Sequence, residues 1–336
     1  VDDVVSEPEA GFVNACSDLL LALCGGLEGD RPALKADEFV TRPRTSAPPE
    51  EEPAPAEDNP LPPPDLDQVL AELDALCGLE RVKKDVKSLI NLVKVQKLRQ
   101  EQGLPVSPMS LHLVFLGNPG TGKTTVARLL ARIYHAIGIL SKGQLVEVDR
   151  SGLVAGYVGQ TAIKTQKVIQ KAIGGVLFID EAYALNGKSE NDFGQEAIDT
   201  ILKAMEDHRD DLVVIVAGYT DLMDRFIHSN PGLESRFNRF LLFEDYTPDE
   251  MLDIFKMQCK KGCYQLSDGV EELVRDYITE ENGDPETFGN ARGVRNIFEH
   301  ILVAQNNRLA AMETVTKEDL MTLTQDDVLH ARGKLD

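Results

Sequence analysis

Several things are scarce in this sequence, and each scarcity excludes something. The five cysteines, Cys16, Cys24, Cys77, Cys259 and Cys263, are odd in number and scattered, so no disulfide framework is expected. No apolar run approaches the length of a membrane span, and no secretory leader is visible. A reducing, cytoplasmic setting without membrane insertion is the expectation. The chain opens at Val1, which reads as a piece of a longer protein. Lys and Arg number 35 against 56 Asp and Glu, a formal net charge of −21. A nucleic-acid partner is not expected, because such proteins carry a basic face. The six histidines show no ligand spacing. Cys259 and Cys263 stand one helical turn apart, but no second pair or nearby histidine completes a metal site, so both read as core-like helix cysteines.

The charge is unevenly spread. Residues 1–70 hold 16 acids and 4 bases, whereas the other 266 residues are net −9 and so only mildly acidic. Residues 12–24, "FVNACSDLLLALC", read as a short apolar helix with nothing to pack on, an orphan fragment within 1–40. Residues 41–65 hold 9 of the 17 prolines together with "EEEP" and "AEDNP", the composition of an extended linker that cannot form a core. The body begins near Leu66. Helical periodicity covers 66–77 and 79–101, split at Gly78. Apolar strand-like runs follow at 111–116, 144–148, 175–180, 212–218 and 240–243, with amphipathic helices between them. Such alternation predicts an α/β fold whose parallel five-stranded sheet is flanked by helices. From Pro248 the periodicity is all helical: 248–261, 268–281, 291–312 and 317–330. The expected domains are therefore 66–245, α/β, and 246–336, a small all-α unit.

"GNPGTGKT", Gly117 to Thr124, matches the phosphate-binding loop G-x-x-x-x-G-K-[ST]. It follows a buried strand and opens an amphipathic helix, which is the context that pattern needs. Gly117, Gly120 and Gly122 let backbone N–H groups turn toward phosphate oxygens, and the helix N-terminus adds partial positive charge. Lys123 is expected to reach the β- and γ-phosphates of ATP and Thr124 to coordinate Mg²⁺, with Asn118, Pro119, Thr121 and Thr125 completing the loop. "GVLFIDEA" ends a strand with two adjacent carboxylates. A buried strand has no packing reason to do so unless they face a ligand. Asp180 is expected to hold Mg²⁺ and Glu181 to polarise the attacking water. Thr220, just past the strand "LVVIVAG", is placed to meet the γ-phosphate or the water. Arg236 and Arg239 in "NPGLESRFNRF" could stabilise phosphoryl charge or form surface ion pairs.

With "GNPGTGKT", "FIDEA", "GYTD", "NPGLESRF" and "GNARGVRN" in that order, the chain resembles the AAA+ ATPases of the P-loop NTPase class. "VAGYVGQTA", "FIDEAYAL" and "VIVAGYTDLMDRFIHSNPGLESRF" are similar to the group holding red-type rubisco activase, stage V sporulation protein K and the type VII secretion ATPases. The resemblance covers about residues 66–330. It implies that the helical unit is a lid and that Thr220 takes the place of the first sensor, with Tyr219 the alternative. Arg236 would be the arginine finger offered to a neighbour's ATP, with Arg239 its partner. Arg292 would be the second sensor, with Arg295 the alternative one turn on, and Gly78-Leu79 the turn packing against adenine. A finger supplied in trans implies a homo-oligomer, a hexameric ring.

The resemblance also gives a role to Tyr157-Val158-Gly159, which matches the aromatic–hydrophobic–glycine loop lining the pore of threading members. An amphipathic ring can pack on any peptide, and flanking glycines let the loop move. The implied function is ATP hydrolysis coupled to remodelling of a protein client. A nucleic-acid motor of the same superfamily would predict basic pore loops, and residues 152–162 hold no Lys or Arg. A nucleotide switch that does not thread is the remaining alternative. The N-terminal segment leans the reading toward a sporulation-type or secretion-type relative.

Overall fold

A computed structural model describes residues 63–106, 109–157, 159–187 and 193–333. The orphan helix at 12–24 and the linker up to residue 62 lie outside the described residues. Two helices open the body, α1 (Leu66–Asp74) and α2 (Glu80–Glu101). The break between them is the expected one. Gly78 has φ 57° and Leu79 φ 59°, left-handed backbone that ends the helical run and that glycine adopts without strain.

Then come β1 (Leu113–Leu116), α3 (Lys123–Ala136), β2 (Leu145–Val148), α4 (Arg150–Leu153), α5 (Gln160–Ala172), β3 (Val176–Ile179), α6 (Gly194–Asp207), β4 (Val213–Gly218), α7 (Thr220–His228), α8 (Pro231–Arg236) and β5 (Phe240–Leu242). The five strands form one parallel sheet in the order β2-β3-β4-β1-β5. The two-residue period of a strand sorts the core into two layers. Phe115, Phe178, Ile215 and Leu241 face α1, α2 and α3. Val114, Leu177, Ile179, Val214 and Val216 face α5, α6, α7 and α8. Strands buried on both sides are why these runs are continuously apolar rather than alternating. The C-terminal ends of β1, β3 and β4 come to one edge, where an open α/β sheet places its ligand crevice.

The C-terminal part holds α9 (Pro248–Lys261), α10 (Val270–Glu281), α11 (Pro285–Phe288), α12 (Ala291–Ala310), α13 (Lys317–Met321) and α14 (Gln325–Ala331). It has a separate core around Phe255, Val274, Ile297 and Ile301. Capping boxes start α9 at Thr247/Glu250, α13 at Thr316/Asp319 and α14 at Thr324/Asp327. The helical expectation holds, with one addition that periodicity does not show. β6 (Gln265–Leu266) pairs in parallel with β7 (Thr322–Leu323), and β7 divides what periodicity reads as one helix over 317–330. Two-residue strands are too short for a period to register. Cys259 is buried on α9 as expected, but Cys263 lies beyond the helix end, exposed, with φ 59°.

Candidate functional site

The phosphate loop lies between the buried β1 and α3, as its sequence context requires. Gly120 has φ 73°, a region that suits glycine, and a Cβ there would stand 2.0 Å from the Gly289 carbonyl of the helical unit. The loop is tied to the sheet by Gly117 N–H donating to Gly218 O at 3.1 Å. Thr121 is fully buried, and its hydroxyl donates to Asn118 O at 2.8 Å. Lys123 begins α3 and is only 8% exposed. Its ammonium donates to the carbonyls of Gly117 and Asn118 at 2.8 and 2.7 Å, using two of its three donors. Burial, opposed by the charge of Asp180 and reinforced by that of Arg292, brings its pKa down to about 8. It therefore stays a cation at neutral pH.

These groups line a cavity of about 290 Å³. Gly117, Pro119, Gly120, Gly122, Lys123, Thr124 and Thr125 form its floor, Asp180 and Glu181 one wall, and Arg292 and Arg295 the wall from the helical unit. Glu181 has φ 49°, unusual for a residue with a side chain. Such backbone strain clusters at functional sites. A glycine cradle, a helix N-terminus and a buried cation suit the phosphates of a nucleotide. Thr124 and Asp180 supply the hard oxygen donors that suit Mg²⁺.

The other expected residues are placed less uniformly. Asn118 and Thr121 do not line the cleft but brace its floor from behind. Thr220 is exposed as the first residue of α7, and Tyr219, between β4 and α7, takes the cleft wall instead. The strand ends one residue too early for Thr220 to share that wall. Leu79 lines a neighbouring cavity with Tyr246 and Leu242, and it packs against both the sheet core and the core of the helical unit. Neither Arg236 nor Arg239 lines the cleft. Arg236 ends α8, with Nη2 3.4 Å from Glu206 and a buried Nε that has no partner. Arg239 Nε donates to Ser110 O at 3.3 Å.

Tyr157 is 74% exposed, in a segment whose base is fixed. Lys164 Nζ donates to the carbonyls of Ser151 and Val154 at 2.6 and 3.0 Å. Thr165 donates to Leu153 O at 3.1 Å, and Ala155 N–H to Thr161 Oγ1 at 3.0 Å. A Cβ on Gly156 or Gly159 would meet nothing within 4 Å. Val158 lies outside the described residues.

Four residues of the site carry no role in the sequence reading. Glu147 of β2 accepts from the Thr124 hydroxyl at 3.3 Å. Tyr246 donates from its hydroxyl to Thr121 O at 3.2 Å. Asp245 and Asn290 join the loop to the helical unit. Asn290 carries a faint signal, since an asparagine just before a helix reads as its cap. The structure uses that side chain for something else, because it makes no capping bond.

Comparison with known proteins points the same way. Residues 113–245 match the family described as ATPases associated with various cellular activities, and residues 247–335 match the AAA lid domain. Stage V sporulation protein K of Bacillus subtilis (strain 168) is 43% identical, over 78% of this chain and 82% of its own. The chloroplastic ribulose bisphosphate carboxylase/oxygenase activase of Cyanidioschyzon merolae is 46% identical, over 80% of this chain and 92% of its own. The FIGL-1 AAA domain, solved in complex with ADP, shares the fold at a TM-score of 0.54. It is 18% identical, over 80% of this chain and 90% of that one. The chain belongs to the AAA ATPases, in the group that includes stage V sporulation protein K and the rubisco activase-like proteins, and it is an ATP hydrolase with a C-terminal AAA lid.

Proposed function

We propose that this ATPase is Mg²⁺-dependent, assembles as a hexameric ring, and remodels a protein client through a pore lined by Tyr157. The observation that carries the reading is Tyr157 itself. A large amphipathic ring stands in solvent on a loop with open space at both glycines, while the base of that loop is pinned by four hydrogen bonds. With most of its surface in solvent, the ring is free to pack on a peptide, which its amphipathic character suits.

In this reading Lys123 holds the β- and γ-phosphates, and Thr124 and Asp180 hold Mg²⁺. The ion offsets the charge of the phosphates. Glu181 orients the attacking water, and Tyr219, rather than Thr220, meets the γ-phosphate side of the cleft. Arg292, with Arg295, covers the γ-phosphate from the lid. Arg236 and Arg239 serve the ATP of a neighbouring copy, which accounts for their distance from their own cleft wall. Residues 66–245 and 246–336 act as the two bodies whose relative motion drives the loop. The absence of Lys and Arg over residues 152–162 favours a peptide over a nucleic acid as the client.

The test is an ATP-locked trap. Glu181→Gln protein with ATP is passed through lysate of its own host, with and without Tyr157→Ala. A protein held by the first and released by the second supports threading. A partner held equally by both removes Tyr157 from the mechanism and leaves a switch that binds through another surface.

A further inference from the structure

The lid meets the phosphate loop through a residue that belongs to neither the loop nor the sensor arginines. Asn290 is fully buried at the foot of α12, with φ 53° and ψ −125°. Its Oδ1 accepts from the Tyr246 backbone N–H at 3.0 Å. Its Nδ2 donates to Asp245 Oδ1 at 2.8 Å and to the Pro119 carbonyl at 3.3 Å. Asp245 also accepts from Asn118 Nδ2, at 3.1 Å to Oδ1 and 2.9 Å to Oδ2. Beside this network the Ala291 N–H donates to Gly120 O at 3.2 Å. Three stretches of chain therefore converge: the phosphate loop, the segment entering α9, and the first turn of α12. A buried amide that loses its partners costs stability, so these bonds tie the three stretches together in the arrangement seen here.

We propose that Asn118, Asp245 and Asn290 form a latch that positions Arg292 and Arg295 over the phosphate loop, so that preference for ATP over ADP depends on contacts that never touch the nucleotide. This rests on the reading above in which those arginines face the γ-phosphate. The two arginines stand on the first turns of α12, directly after Asn290, so the latch sets where their backbone starts. Long, flexible side chains hold a productive geometry only when their base is fixed. Asn290 is thus a positioning residue.

The experiment measures ATP and ADP affinities by calorimetry with Mg²⁺ present, in a Glu181→Gln background so that ATP is not consumed. Asn290→Gly suits the backbone and removes the amide. The expected result is a loss of ATP affinity of about tenfold, the scale of a lost buried hydrogen bond, with ADP affinity falling much less. In an Arg292→Ala/Arg295→Ala background, Asn290→Gly should change the ATP-to-ADP ratio no further. Asn118→Ala, outside the lid, should shift the ratio in the same direction by less, and it carries the test if Asn290→Gly fails to fold. Equal losses for ATP and ADP, or the same change in ratio in both backgrounds, would overturn the latch and leave Asn290 a structural residue. If the double arginine variant alone leaves the ratio unchanged, the γ-phosphate reading fails first and the latch falls with it.

Discussion

Two pairs of arginines share one spacing and differ in everything else. Arg292 and Arg295 stand three apart on α12 and line the cleft. Arg236 and Arg239 also stand three apart and do not line it. Their backbone is fastened from behind instead: the Ser110 hydroxyl donates to Arg236 O at 2.7 Å, and Val114 N–H donates to Arg239 O at 2.9 Å. Below them His112, 6% exposed, accepts the Val214 N–H at Nδ1 at 3.0 Å and lies 6.1 Å from the Phe237 ring. The first pair sits on a lid, over a site in its own chain. The second is fixed to the sheet domain, where Arg236 meets Glu206 and Arg239 meets Ser110. Spacing alone does not say whether an arginine reaches the cleft of its own chain; the body that carries it does.

The largest expected effect bears on both pairs at once. Lys123→Ala should leave no ATP binding by calorimetry, since the buried ammonium is what the phosphates would meet. Micromolar binding in that variant would make the comparison meaningless. Next, Arg236→Ala should cost about 10³–10⁵ in turnover, the scale of an arginine finger. Mixing it with Lys123→Ala subunits should restore part of the rate, because each supplies what the other lacks. Arg292→Ala in the same mixture should recover nothing, since it acts on its own chain's cleft. No rescue of Arg236→Ala at any ratio would erase the distinction between the pairs. Glu181→Gln should lower turnover by about 10²–10⁴ while keeping ATP affinity, the pattern of a lost general base. An unchanged rate would remove Glu181 from the chemistry.

Smaller effects sharpen the fixed pair. Burial, with the charge of Arg236 adding to it, pushes His112 down to about 4. The unfolded chain takes up this proton near pH 6.5, and the folded one refuses it until about pH 4. Stability from this site is therefore complete above about 6.5 and lost as the pH falls toward 4, by up to about 3 kcal/mol. Urea midpoints for His112→Asn should show a flatter slope over that window than the native chain; parallel curves would place the titration elsewhere. Smallest of all, Tyr157→Ala should shift stability by no more than about 0.5 kcal/mol, as for other exposed positions. A thermal scan showing a larger loss would mean the ring packs on its own loop and is not free to grip.

Much of the fold and the cleft is legible in the residues alone. β1, the phosphate loop and α3 are read from a short apolar run, spaced glycines and an amphipathic period, because local chemistry dictates each of them. The carboxylates of Asp180 and Glu181 are legible for a similar reason: a doubly buried strand leaves them no packing role. Tyr219 and Thr220 are adjacent, and sequence cannot choose between them, since the choice depends on where β4 stops. β6 and β7 are invisible because each is two residues long and their partners are far apart in sequence.

The amino-acid order by itself determined that this chain is a nucleotide-binding ATPase with a helical lid, because the spaced glycines and lysine of the phosphate-loop pattern are contiguous in the chain. The tertiary structure decided which side chains stand around that site from a distance. Glu147, the adjacent pair Asp245 and Tyr246, and Asn290 reach the loop from three segments, and a polar residue far away in sequence gives no local sign of its partner. For the two arginine pairs, which their motifs already tell apart, the structure adds what fastens each in place.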